Sequence, residues 1–171
     1  MAEIDDELTT GHAKVPDSAD PVTQATTAVE MDSIEVDAPR VGIIMGSKSD
    51  MDVMAGAAKV LSEANVRHEV RVMSAHREPE LVSEYCRNAR MRGLRVIIAG
   101  AGLSAALPGV AAAHTDLPVI GVPLSSRLSA MGGLDSILSV LQMPPGVPVA
   151  GVGLDNAKNA GHLALRILRA G

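Results

Sequence analysis

Residues 41–63, VGIIMGSKSDMDVMAGAAKVLSE, decide the fold. Val41–Met45 is a short apolar run without polar alternation, as expected of a strand covered on both faces. Gly46-Ser47-Lys48-Ser49-Asp50 ends it with small and polar residues. From Met51 to about Glu63, Val53, Met54, Ala57, Val60 and Leu61 fall at helical spacing. The same alternation then repeats along the chain. His68–Met73 reads as a strand, and Glu78–Arg92 as a helix with Pro79 in its first turn. Val96–Ala99 is a strand, followed by a small-residue helix from about Ala105 to His114. Pro118–Val122 is a strand and Leu134–Leu141 a helix, broken by Pro144-Pro145-Gly146. Val147–Val152 is a strand and Asn156–Arg169 a final amphipathic helix. Strand and helix alternate about five times, which predicts an α/β domain with a doubly wound parallel sheet. Ligands of such sheets bind at the carboxyl ends of the strands, so the loops after the strands are where function is to be sought.

Composition narrows the class. Phe and Trp are absent and Tyr occurs once, so the core must be aliphatic; with 47% hydrophobic residues it can be built. The single cysteine, Cys86, excludes a disulfide framework and a cysteine zinc finger. It falls inside a helix and reads as core. Neither a signal peptide nor a membrane span is visible, which makes a soluble cytoplasmic protein the expectation. The charge is unevenly placed. Residues 1–38 carry ten acidic residues and one basic residue, and read as a disordered acidic tail. Residues 39–171 carry fourteen basic and ten acidic residues, a mildly basic domain without a clustered Lys/Arg run. That balance fits a small anionic ligand better than a nucleic-acid polymer.

Four loops carry the candidate chemistry. In Gly46–Asp50, Ser47, Ser49 and Asp50 can cap the next helix, whose first N–H groups can also meet a phosphate. The functional reading gives Ser47 to phosphate and Asp50 to sugar hydroxyls. The pattern is neither G-x-G-x-x-G nor a Walker loop, so neither dinucleotide nor ATP binding follows. In Ser74-Ala75-His76-Arg77, Arg77 suits a bidentate phosphate contact, and His76 is the side chain that exchanges protons near neutral pH. The segment Ala99–Gly109, with Ala101, Gly102, Ser104 and Leu107, lets backbone approach a ligand closely and contains no titratable side chain. Pro123–Arg127, followed by Met131-Gly132-Gly133, reads as a flexible loop able to act as a lid, and Gln142-Met143-Pro144 could shape a pocket wall. His68, His114 and His162 lack partners at ligand spacing, so no metal site is expected. His76 flanked by Ser47, Asp50 and Arg77 points to proton transfer on a phosphorylated small molecule.

From Val41 onward the chain resembles the N5-carboxyaminoimidazole ribonucleotide mutases of purine synthesis, the purE-type carboxylase family. The segments that carry the resemblance are GIIMGSKSD (42–50), EVRVMSAHR (69–77), RGLRVIIAGAG (92–102), LPVIGVPL (117–124), GLDSILSVLQMPPGVPVAGV (133–152) and NAKNAGHLALRIL (156–168). It implies a three-layer α/β/α, flavodoxin-like fold and a homo-octamer with active sites at subunit contacts. It also implies movement of a carboxyl group from the exocyclic nitrogen to C4 of an imidazole ribonucleotide, without metal or organic cofactor. Ser47, Asp50 and Arg77 match the family's substrate-binding positions and His76 its catalytic histidine. The third loop departs. Bacterial mutases typically read Gly-Gly-Ala-Ala-His-Leu-Pro-Gly where this chain has Gly102-Leu103-Ser104-Ala105-Ala106-Leu107-Pro108-Gly109, so Ala106 replaces a histidine. That loop is closer to the second class of the family, which carboxylates aminoimidazole ribonucleotide directly with CO2, whereas Arg77 follows the mutase form. The alternatives are therefore the direct carboxylase, or a nucleotide-binding relative without catalysis.

Overall fold

The computed structural model describes residues 38–170; the acidic-tail reading for the N-terminal segment lies outside them up to residue 37. Among the described residues, five parallel strands form one sheet in the order β2-β1-β3-β4-β5. They are β1 (Val41–Met45), β2 (His68–Val72), β3 (Val96–Gly102), β4 (Val119–Leu124) and β5 (Ala150–Gly151). The helices between them are α1 (Met51–Glu63), α2 (Pro79–Arg87), α3 (Ala106–Ala113), α4 (Leu134–Leu141) and α5 (Ala157–Ala170). This order is the flavodoxin-like doubly wound arrangement, with the chain reversing direction across the sheet between β1 and β3. The expected fold class is the observed one.

Alternation along β1 sorts the core into its two halves. Val41, Ile43 and Met45 pack with Met54, Val60 and Leu61 of α1 and Ala160, Ala164 and Leu165 of α5. Ile44 faces the opposite way, toward Val82, Tyr85 and Cys86 of α2 and Ala111 of α3. Both sides of a parallel sheet are thus covered by aliphatic side chains, each Ile or Leu contributing about 1.5–3 kcal/mol of burial. Cys86 is buried as expected, and burial pushes its thiol up to about 11.

Three elements differ from the sequence reading. The helix expected over Glu78–Arg92 closes at Arg87, and the chain continues in turns to Gly93, whose φ is +91°. The strand expected over Val147–Val152 is reduced to Ala150–Gly151, paired only with Ile120 and Gly121 at the sheet edge. Strand β3 runs longer than expected, to Gly102, because it pairs with β4 through to Leu124. That extra length carries the small residues Gly100, Ala101 and Gly102 to the carboxyl edge of the sheet.

Candidate active site

The loops after β1, β2, β3 and β4 meet around a pocket of about 300 Å³. Its lining includes all ten residues singled out from the sequence: Ser47, Ser49 and Asp50; Ser74, His76 and Arg77; Ala101, Gly102, Ser104 and Leu107. The size is that of a small-molecule site, and its position is the one the fold provides for ligands. Gln142, Met143 and Pro144 do not line it. Met143 packs instead beside Gly109 on α3, so the expected pocket wall is a packing contact.

The first loop is a capping box. Ser47 Oγ accepts the Ser49 amide at 3.3 Å, and Asp50 Oδ2 accepts the Ser47 amide at 3.0 Å. The Asp50 amide donates to the Ser47 carbonyl at 3.1 Å. The amides of Ser47, Ser49 and Asp50 are therefore engaged within the loop, which corrects the expectation that this helix start presents free N–H groups to a phosphate. What remains is the Ser47 hydroxyl. It accepts from both the amide and the hydroxyl of Ser49, the latter at 2.9 Å, which leaves its own proton to donate. Asp50 is half-buried. Burial raises its carboxyl above the ordinary range, against the Ser47 amide, the Ser49 hydroxyl and the charge of Arg77, which pull it down.

Arg77 fastens the second loop to the first, one Nη donating to the Gly46 carbonyl at 2.7 Å. The second loop is itself a tight turn: the Ser74 carbonyl accepts the Arg77 and Glu78 amides at 3.3 and 2.8 Å. This turn leaves His76 and Arg77 exposed at the pocket mouth and Ser74 buried at its floor. The third loop brings Leu103 in at a left-handed φ of +56°, followed by Ser104 and Ala106. Below it, Gly100 is in contact with the Met54 thioether; an added Cβ would collide with the sulfur, so α1 packs directly under the pocket.

The fourth candidate loop, read from the sequence as a flexible lid, forms a wall of the pocket with Leu124, Ser125, Ser126 and Leu128. What sequence reading missed is Asp155, which holds Ser125. Asp155 Oδ1 accepts the Ser125 amide at 2.8 Å and Oδ2 the Ser125 hydroxyl at 2.5 Å. The only available signal was the Ser-Ser pair after a strand; nothing local links it to Asp155, thirty residues on. Among the described residues, the other histidines, His68, His114 and His162, lie apart from the pocket, with His68 and His114 hydrogen-bonded to the carbonyls of Val66 and Val110. Among the described residues, no three His, Cys, Asp or Glu side chains cluster as metal ligands.

The flavodoxin-like sheet thus gathers serines, a carboxylate, a histidine and an arginine around one small pocket at its carboxyl edge, the arrangement of a small-molecule site. The chain belongs to the AIR carboxylase family, whose model matches residues 40–171. It is 61% identical over 135 residues to a Pyrococcus abyssi protein called N5-carboxyaminoimidazole ribonucleotide mutase, covering 79% of this chain and 76% of that one. A Mycobacterium tuberculosis protein of the same description is 60% identical over 132 residues, covering 77% and 75%. A crystal structure of Treponema denticola PurE superposes with a TM-score of 0.67 at 32% identity, covering 77% of this chain and 81% of that one.

Proposed function

We propose that the protein is an N5-carboxyaminoimidazole ribonucleotide mutase, an isomerase of purine synthesis. The observation that carries this reading is the convergence of Ser47, Asp50, His76 and Arg77 on one pocket, in a chain 61% identical to a relative of that description. Ser47 donates its free hydroxyl proton, and Arg77 its remaining N–H groups, to the phosphate. Asp50 accepts from the ribose hydroxyls. Ser74, Ala101, Gly102, Ser104 and Leu107 shape the floor and the wall against the heterocycle. His76 moves the proton: it gives a proton to the exocyclic nitrogen as the N-carboxyl bond breaks to CO2 and the amine, C4 attacks the retained CO2, and His76 takes the C4 proton back as the aromatic ring is restored. No metal or organic cofactor is invoked. A closed, dry pocket holds the CO2 between the two steps.

The unit responsible is the domain from residue 39 to 171, working in the cytoplasm as a homo-octamer. Exposed apolar side chains on this single chain support self-association, notably Leu128, Met131, Leu138 and Leu141.

One observation favours a second reading. Ala106 lines the pocket where the mutases typically carry a histidine, so direct carboxylation of aminoimidazole ribonucleotide by CO2 is the alternative. The test supplies purified protein, without ATP, with carboxyl-labelled N5-carboxyaminoimidazole ribonucleotide or with aminoimidazole ribonucleotide and labelled bicarbonate. Label moved to C4 from the first substrate, undiluted by unlabelled bicarbonate, is the expected result. Turnover of the second alone would establish the direct carboxylase. Binding without either conversion would leave a non-catalytic relative.

A further inference from the structure

The two ends of the pocket differ in hydrogen-bonding character. At the β1 end the Ser47 hydroxyl proton and the Arg77 guanidinium are donors left for a ligand, beside the Asp50 carboxylate as an acceptor. Strand β4 lies two strand spacings away, about 10 Å, with β3 between. At that end Ser125 has given both of its protons to one carboxylate, the amide to Asp155 Oδ1 and the hydroxyl to Oδ2. Its Oγ retains only lone pairs. The adjoining Ser126 amide is likewise engaged, donating to Ser129 Oγ at 2.8 Å. Asp155 is itself held in place. It sits at φ +55°, a left-handed conformation that aspartate tolerates, and its amide donates to the Pro123 carbonyl at 2.9 Å.

We infer that Asp155 is a positioning residue that makes Ser125 a hydrogen-bond acceptor at the β4 end of the pocket, where it meets an N–H donor on the ligand's heterocycle. The inference rests on the ribonucleotide reading above: with phosphate and sugar at Ser47, Asp50 and Arg77, the base is the part that reaches β4. An anionic group is disfavoured at Ser125, because neither of its protons is left to meet it and a carboxylate stands behind the hydroxyl. The pocket thereby fixes which end of the ligand points which way.

The test reverses the polarity without changing the shape. In Asp155→Asn the side chain keeps its size and its tolerance of left-handed backbone, and its carbonyl still accepts one bond. Its amide, however, donates to Ser125 Oγ and frees the serine proton. Affinity is read by titration calorimetry on the full chain with two ligands, aminoimidazole ribonucleotide and ribose 5-phosphate. Asp155→Asn is expected to weaken the first about tenfold, the size of one ordinary hydrogen bond, and to leave the second unchanged. Ser125→Ala is expected to lose the same factor, with no further loss in the double variant. A merely structural clasp would be rescued by asparagine. Unchanged affinity for the aminoimidazole ribonucleotide, equal losses for both ligands, or no binding of that ribonucleotide by the unsubstituted protein would each overturn the inference. Failure of the mutase reading shows separately, as absent label transfer in a protein that still distinguishes the two ligands.

Discussion

The loop after β1 and the loop after β4 face one another across the same pocket and are held by different means. Gly46–Asp50 largely fixes itself: Ser47, Ser49 and Asp50 bond one another, the Gly46 amide donates to the Gly100 carbonyl at 3.3 Å, and a neighbouring turn supplies Arg77. Ser125–Gly133 is fixed from elsewhere. Asp155 grips its start, and Asp135 Oδ2 accepts the Ala130 amide at 3.0 Å near its end. Just beyond Ala130, Met131, Gly132 and Gly133 occupy successive left-handed conformations, with φ of +49°, +68° and +104°. A self-capped loop holds its geometry by local chemistry. A loop pinned at two points and strained at its exit depends on the rest of the fold. The first suits binding of the ligand's invariant charged end, the second discrimination at its variable end.

Substitutions at the two ends should separate these roles. The largest effect is expected at the β1–β2 end. His76→Asn should lower kcat by about 10²–10⁴-fold, the usual worth of a positioned acid–base group, while calorimetry finds ligand affinity nearly unchanged; turnover close to that of the unsubstituted protein would remove His76 from the chemistry. At the other end, Gly133→Ala puts a side chain into left-handed backbone and against Leu154, 2.8 Å from its Cδ1. A destabilisation of about 1–3 kcal/mol is expected, read by denaturant unfolding, with the affinity for ribose 5-phosphate retained. Loss of that affinity in step with stability would mean the two loops are not independent.

The smallest effect concerns pH. Burial raises the Asp50 carboxyl above its ordinary value of 3.8, so the folded protein holds that proton more tightly than the unfolded chain. The stability this contributes is present below the ordinary value and fades as pH rises through the raised one. Glu69 behaves oppositely. Burial alone would raise it, but the hydrogen bonds and charge of Arg92, at 2.6 and 3.3 Å, more than reverse that. Its contribution is present above 4.5 and is lost on acidification. Asp50→Asn should therefore remove a loss of stability seen as pH rises above 3.8, and Glu69→Gln a loss of stability seen as pH falls below 4.5. Identical profiles for the two variants would show that burial does not govern Asp50.

Legibility followed the same division. Strand β1, its capping box and α1 were readable because aliphatic run, Ser/Asp cap and helical spacing all lie within residues 41–63. The ten site residues lie in segments whose chemistry is local, and the structure brings them together around one pocket. Four features were not readable. Strand β5 is short because its neighbours give it only two paired residues, a property of the sheet edge. The helix over 78–92 ends early because the chain must turn at Gly93 to enter β3. The amides of the first loop look free in sequence but are engaged once the box closes. Asp155 sits in a Leu-Asp-Asn stretch that reads as a plain helix start, and its partner Ser125 is brought near only by the pairing of β4 and β5.

Because the pocket is assembled from four loops spread between Gly46 and Leu128, no single loop contains it. A ligand held there has no counterpart in the unfolded ensemble, so its whole affinity appears as protection of the native state. At a hundred times its dissociation constant that protection is about 2.7 kcal/mol. Occupancy of the pocket is thus legible in the melting of the entire domain, and a thermal shift with each small molecule tried is a direct gauge of what this site accepts.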